Sequence, residues 1–235
     1  MSIKKSVFIV EGQTEQIFLL EFINRLVALT ACHVELHKYH GNVITIVTSR
    51  GPDEEQATHS ILIINVENDE KTLSFIEDNI VGFKNKNIHG VFGLRDRYTG
   101  DRNKKPVNPE KIDNRMKLLA STHGMRIELT VAIEEIEAWF LSVPSFFENF
   151  DQTLSLEIAS RAAQIDLATV NVETIAHPAS IIDRVLKSVG LRYRKRLDDS
   201  YKVATELDYD TLYLERAPII LPLGRLVDQL TWSLS

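Results

Sequence analysis

The chain has 235 residues, of which 44% are hydrophobic and 26% charged, and it carries a formal net charge of −6. This length holds one large domain, or a medium domain with a helical appendage. The acidic balance argues against indiscriminate binding to polyanions while leaving room for a local basic site. The single cysteine, Cys32, excludes an internal disulfide and fits a reducing compartment. No apolar run approaches the roughly 20 residues of a membrane helix. The N-terminal run is of strand length and meets Glu11 at once, unlike a secretory leader. The expected location is therefore cytoplasmic, with no membrane partner.

The first apolar run, Ser6-Val7-Phe8-Ile9-Val10, reads as a buried parallel strand. Glu11 then falls at its C-terminal edge, where open α/β sheets bind ligands. Gly12 permits a sharp strand-to-helix turn, and Thr14 is a candidate helix cap. Residues 14–28 carry apolar side chains at helical spacing. Residues 34–39 alternate as a half-exposed strand, while 43–47 fit either a strand or a helix. Residues 50–60 read as a loop or a helix start. Ile61-Leu62-Ile63-Ile64 is a second buried-strand run, followed by a helical pattern over 69–81. Residues 89–94 give a third strand that runs into Arg95-Asp96-Arg97-Tyr98. Pro109 opens a helix reaching about residue 121, residues 125–133 alternate as a strand, and 134–142 return to helical spacing.

Strand and helix alternate up to Val143, which is the signature of a largely parallel sheet flanked by helices. Pro144 breaks the pattern. Beyond it, residues 152–164, 179–189, 199–207 and 223–232 all read as helical. The expectation is an α/β domain over 1–143 and a helical C-terminal domain over 144–235.

Three acidic stations stand at the ends of strand-like segments: Glu11, Asp96 and the cluster Glu134-Glu135-Glu137. If the strands are parallel neighbours, their C-terminal ends share one edge and these acids meet. Mg²⁺ needs only one or two direct carboxylates, and such an ion polarises a phosphate oxygen or activates a water. Glu67 and Asp69, which follow another apolar run, are rival acids. Basic residues crowd the second station: Arg95, Arg97, Arg102, Lys104 and Lys105 lie in one window, as a phosphate-backbone contact requires. A further run, Arg192-Tyr193-Arg194-Lys195-Arg196, interleaves an aromatic with cations; it reads either as a single-strand contact or as a solvated loop.

Val10-Glu11-Gly12-Gln13-Thr14-Glu15 resembles the first motif of TOPRIM domains, the fold shared by topoisomerases, bacterial primases and OLD-type nucleases. Val91-Phe92-Gly93-Leu94-Arg95-Asp96-Arg97-Tyr98 resembles the second motif, and Glu135-Ile136-Glu137-Ala138-Trp139-Phe140-Leu141 a third one, found in small TOPRIM proteins of bacterial phage-defence operons. The resemblance covers roughly the first 60% of the chain. It implies a TOPRIM-like, Rossmann-like sheet and a Mg²⁺- or Mn²⁺-dependent nuclease. Glu11 would be the base or a ligand, Asp96 a metal ligand, and Glu137 a further ligand with Glu135 as its substitute. It also implies a nucleic-acid substrate, an ABC-type or OLD-like ATPase partner, and homodimerisation. One departure stands out: the second Asp of the usual pair is absent, and Asp101 is its nearest replacement. That gap supports an alternative, a catalytically silent docking or regulatory subunit.

Other residues carry blander readings. Glu15 is a first-turn acid favoured by the helix dipole. His33, His37 and His40 lack the Cys or acid partners of a tetrahedral zinc site. Cys32 has no evident base and reads as a buried thiol. The chain contains no phosphate-binding loop of the Gly-x-x-x-x-Gly-Lys type, so ATP hydrolysis is not expected of it alone.

Overall fold

A computed structural model describes residues 3–27, 31–67, 71–98 and 105–235. In chain order its elements are β1 (Lys4–Val10), α1 (Gln13–Leu26), β2 (Cys32–His40), β3 (Val43–Arg50), β4 (His59–Asn65), α2 (Lys71–Asn85), β5 (Gly90–Asp96), α3 (Pro109–His123) and β6 (Arg126–Ala132). The helices α4 (Glu137–Leu141), α5 (Phe146–Phe150), α6 (Leu156–Ala163), α7 (Pro178–Lys187) and α8 (Leu197–Thr205) follow. A short α9 (Tyr209–Thr211) runs into a π-helical turn, Leu212–Arg216, before α10 (Leu221–Ser233) closes the described chain.

The strands form one six-stranded sheet in the order β3-β2-β4-β1-β5-β6. Every neighbouring pair is parallel except β2 and β3, which form an antiparallel hairpin. The fold is thus α/β, with a mostly parallel, Rossmann-like sheet flanked by helices. The segment 43–47, ambiguous by pattern, is part of the hairpin's second strand; its aliphatic side chains are exposed, so no single-face burial marks it.

Two apolar cores, one on each face of the sheet, explain the sequence pattern. Along β1, Phe8 and Val10 join the first core while Val7 and Ile9 join the second. Such a strand is buried on both faces and shows no polar alternation. Helix α1 supplies Phe18, Leu19, Leu20, Phe22 and Ile23 to the first core. Helices α2 and α3 supply Phe75, Ile76, Ile80, Ile112 and Met116 to the second. The helix after β1 therefore leaves on one face, and the helices after its neighbours β4 and β5 leave on the other. This reversal falls at the C-terminal end of β1, the usual ligand position of such sheets.

The helices after Val143 lie on the α1 face and share its core, which runs from Phe8 and Phe92 through Trp139, Phe146 and Ile182 to Leu226 and Leu230. The expected boundary near Val143 marks the change from alternation to helices, and the core continues through it; Val143 itself is buried. Helix α10 approaches the sheet closely. A Cβ on Gly90 would lie 2.5 Å from Cζ3 of Trp232 and 2.7 Å from Cε2 of Phe92. Glycine at the start of β5 thus lets the Trp232 ring pack edge-on to Phe92, with centroids 5.7 Å apart. Gly90→Ala is expected to lower the unfolding free energy by about 1–3 kcal/mol through overpacking. Urea denaturation measures this, and a neutral outcome would mean that α10 does not dock at that position.

Candidate functional site

Glu11 follows β1 and is nearly buried. Its Oε2 accepts a hydrogen bond from the Asp96 backbone N–H at 3.2 Å, and its Oε1 lies 3.1 Å from Nε of Arg95. The first and second acidic stations therefore sit on the same rim of the sheet. Bond geometry then limits the two carboxyl groups to within about 8 Å of each other. Arg95 was expected as a phosphate contact, and the structure corrects this. Its side chain is only 4% exposed and its guanidinium faces Glu11, while Nε also donates to the Asp96 carbonyl at 3.3 Å. Strand β5 is buried along its whole length, Arg95 included, and burial obliges a guanidinium to take a carboxylate partner.

Asp96 ends β5, and its Oδ1 accepts from the Ile136 N–H at 3.2 Å, just before α4. That bond joins the second station to the third. Glu137, in the first turn of α4, is fully buried. Its Oε1 accepts from the Tyr193 hydroxyl at 2.7 Å and lies 2.9 Å from Nζ of Lys195. Its Oε2 is buried and has no hydrogen-bond partner among the described residues. Glu135 takes a different place. Its Oε2 accepts from the Ala179 N–H at 3.3 Å, in the first turn of α7, and lies 3.7 Å from Lys195 Nζ. Its carboxylate thus satisfies an orphan donor of a helix start as well as the lysine.

Burial holds the Asp96 carboxyl well above the usual carboxylate range, and the charge of Glu15 is the next largest cause. Lys195 opposes that rise, while Glu137 and Glu11 add to it. Lys195 experiences the same cluster from the other side. Burial works to lower its pKa, but Glu137, Asp96, Glu135 and Glu15 together carry it above the ordinary lysine value. Burial, together with Glu137, raises the Tyr193 phenol well above its ordinary value, keeping it a hydrogen-bond donor.

Sequence reasoning missed three of these groups. Glu15 is buried, and a Cβ on Gly12 would lie 2.8 Å from its Oε2. The backbone at Gly12 is extended, φ −146°, so a larger residue there would meet no strain of angle and would displace only the folded-back Glu15 carboxylate. The helix cap is Gly12 rather than Thr14, whose hydroxyl instead pairs with that of Ser200 at 2.9 Å. Tyr193 and Lys195 come from the loop between α7 and α8. Asp183 pins that loop by accepting from Arg192 Nε at 2.8 Å and from the Tyr193 N–H at 2.9 Å, and Asp199 accepts from the Arg194 N–H at 2.8 Å. Lys195 has a left-handed backbone, φ 53°, which turns it out of the run of cations. The basic run is neither uniformly solvated nor uniformly displayed: Tyr193 and Lys195 face the acids.

Of the remaining expected residues, Arg97 is half-buried. Its N–H donates to the Ala132 carbonyl at 2.9 Å, and its Nε has no hydrogen-bond partner among the described residues. Lys105 is exposed, two positions before Val107, whose N–H returns to the Arg97 carbonyl at 3.0 Å. Asp101, Arg102 and Lys104 lie outside the described residues, as does Asp69. Glu67 is held elsewhere on the rim by Lys38 at 2.7 Å and His40 at 3.2 Å. His33 and His37 share Glu35, at 3.2 and 2.7 Å. Cys32 is buried, and burial pushes its thiol up to about 12.

Among the described residues, no three acidic, histidine or cysteine side chains are grouped as a ready metal site. The donor chemistry still suits a hard cation: oxygen ligands only, crowded like charges, and a buried Glu137 oxygen without a partner. No helix among the described residues is long and apolar enough to cross a membrane.

No family model and no curated protein matches the chain. Among solved structures, the chain is similar to a candidate cell surface hydrolase from Lactobacillus plantarum WCFS1. The identity is 10% and the TM-score 0.36, over 97% of this chain and 98% of that one.

The Asp96 shift has a measurable consequence. A raised folded-state pKa means the native chain keeps a proton that the unfolded chain has released above about pH 4. This group's contribution to stability is intact below that pH and is lost as pH rises through the folded pKa. Asp96→Asn, which keeps the acceptor for Ile136, is expected to melt with wild type near pH 4 and above it at pH 7–8 by at least about 2–4 °C. Thermal melts across that range decide. A wild-type advantage that grows with pH would mean that Asp96 is stabilised as the anion.

Proposed function

We propose that this protein is a metal-dependent phosphodiesterase of TOPRIM type, a nuclease acting on DNA or RNA. The observation carrying this reading is the convergence of Glu11, Asp96 and Glu137, from three separate segments, at the C-terminal rim of the sheet beside β1, with one Glu137 oxygen buried and without a hydrogen-bond partner among the described residues. The resemblance of the three motifs supports it, as does the order in which they occur. In this reading Asp96 and Glu137 would hold Mg²⁺ or Mn²⁺. When bound, the ion supplies Lewis-acid polarisation of the phosphate and a lowered pKa for water.

The chain's own groups divide the remaining work. Arg95 and the Asp96 N–H fix the orientation of Glu11, which serves as proton acceptor or as a further ligand. Lys195, with about a third of its side chain exposed, keeps its charge and reaches toward solvent from the acid cluster. It is therefore placed to neutralise a phosphate oxygen, a role the sequence gives to the basic window from Arg95 to Lys105. Arg97 and Lys105 remain backbone contacts in this proposal. The setting is bacterial phage defence with an ATPase partner, on the strength of the motif resemblance.

A second reading rests on one specific observation. Lys195 already provides a cation to the acids, and the described residues form no three-ligand group. A site neutralised in this way suits a silent docking subunit. Incubation with single- and double-stranded DNA and RNA, with Mg²⁺ or Mn²⁺, separates the two. The nuclease reading expects cleavage that stops on chelation and falls at least about 100-fold in Asp96→Asn and in Glu137→Gln. Titration calorimetry accompanies the assay: metal binding lost in Glu137→Gln supports the nuclease. Absence of both binding and cleavage assigns the chain to docking.

A further inference from the structure

The C-terminal helices enclose a pocket of about 360 Å³ that none of the acid-cluster residues lines. It lies beyond the C-terminal end of α4, between α6, the segment 167–173 and the π-helical turn. Its volume is that of a small-ligand site. Leu156, Leu167 and Ile220 give it aliphatic walls, and Ile219, 69% exposed, marks its open side.

Two side chains of opposite charge line this same pocket, Glu173 and Arg216. Oε1 of Glu173 is buried and has no hydrogen-bond partner among the described residues. Nε of Arg216 is likewise buried and without one, while its Nη2 meets only the adjacent Glu215, at 3.5 Å. The two charges do not neutralise one another. Burial raises the Glu173 carboxyl above its ordinary range, and Arg216 does not offset that rise. A buried acceptor without a donor and a buried donor without an acceptor are each costly. Both costs fall on one pocket, and one ligand can relieve both.

The backbone on either side is built to present these groups. The Ala217 N–H donates to the Leu212 carbonyl at 2.8 Å, one residue further back than in an α-helix. Such π-helical insertions recur at functional sites, and this one ends on Arg216. Opposite it, Glu173 sits in a 3₁₀ turn, Val172–Thr174. Asn171 caps that turn through Oδ1, which accepts from the Glu173 N–H at 3.1 Å.

We propose that this pocket binds a small zwitterion with an aliphatic side chain, an α-amino acid of the leucine kind, with its ammonium on Glu173 and its carboxylate on Arg216. An amine alone would leave the guanidinium N–H unmatched, and a carboxylate alone would leave the Glu173 oxygen unmatched. A purely apolar ligand would leave both. Charge-assisted hydrogen bonds at each end fix the orientation, and the aliphatic walls take the side chain. The proposal is independent of the nuclease reading.

Titration calorimetry with L-leucine to about 10 mM is expected to give one-to-one binding with a Kd at or below about 1 mM. Isoamylamine, which lacks the carboxylate, and isocaproate, which lacks the ammonium, are each expected to bind at least about tenfold more weakly. These three ligands are compared on the unaltered chain, so the result stands whether or not a variant folds. Glu173→Gln and Arg216→Gln, checked by circular dichroism, are each expected to weaken leucine at least about tenfold. Isocaproate is expected to bind Glu173→Gln within about twofold of the unaltered chain, because the contact removed is one this ligand never makes. No leucine binding, an amine or a carboxylate that binds as tightly as leucine, or leucine binding indifferent to both substitutions would each overturn the proposal.

Discussion

A carboxylate with no exposed surface needs a counter-charge or a proton, because removing an isolated ion from water costs several kcal/mol. Glu137 meets this need through Lys195 and Tyr193, both delivered by a loop about 56 residues further along the chain. The same ammonium offsets Asp96, Glu135 and Glu15. The charge balance of the sheet rim thus depends on where one lysine is held. That position depends in turn on the Asp183 and Asp199 contacts that fix its loop and on a left-handed backbone at Lys195 itself. The C-terminal helices are therefore part of the site as well as part of the core.

Topology explains why the acids meet at all. β1 lies between β4 and β5, and its outgoing helix takes the opposite face from theirs. Glu11 sits at that point of reversal, buried against the end of β5. Two contacts at the strand ends then set the spacing: the Asp96 N–H to Glu11, and Asp96 itself to the N–H of Ile136. In each link a backbone N–H holds a carboxylate side chain, so the acids are anchored to the backbone of a neighbouring segment. Such rigidity is what a preorganised polar site requires.

The fold was legible to the extent that burial left a periodic mark. β1, β4 and β5 are buried on both faces and appear in the sequence as unbroken apolar runs, and α1 shows its core face at helical spacing. β3 left no such mark, since no face of it is covered. Short helices such as Phe146–Phe150 and the π-helical turn at Leu212–Arg216 follow from tertiary packing, which a local pattern does not record. The acids at strand ends could be found because chain direction alone puts them on one rim. Lys195 could not be found in that way: a basic run carries no signal of which cation turns inward. Glu15 carried a weak one, its place one helical turn after Glu11, but the same position suits an ordinary first-turn acid. Arg95 was misassigned because the apolar run of β5 stops at Leu94, so the pattern gave no sign that the buried strand continues through Arg95 to Asp96.

The acid cluster is costly to the fold, and that cost bears on what the cluster is for. Asp96 is buried beside three other acids and is held protonated more readily than in water. A core selected for stability alone would replace such a group by an apolar one, often with a gain. Buried, partly compensated charge persists where it does chemistry or binds charge, and stability is sacrificed there. The unpartnered Glu137 oxygen sharpens the point, because a structural ion pair would be expected to satisfy both carboxylate oxygens. Lys195 satisfies one of them and leaves the other pointing at no donor among the described residues. If the proposed cation binds, it would complete that coordination and offset the burial and repulsion that raise Asp96, and metal binding and stability would then be coupled at this rim.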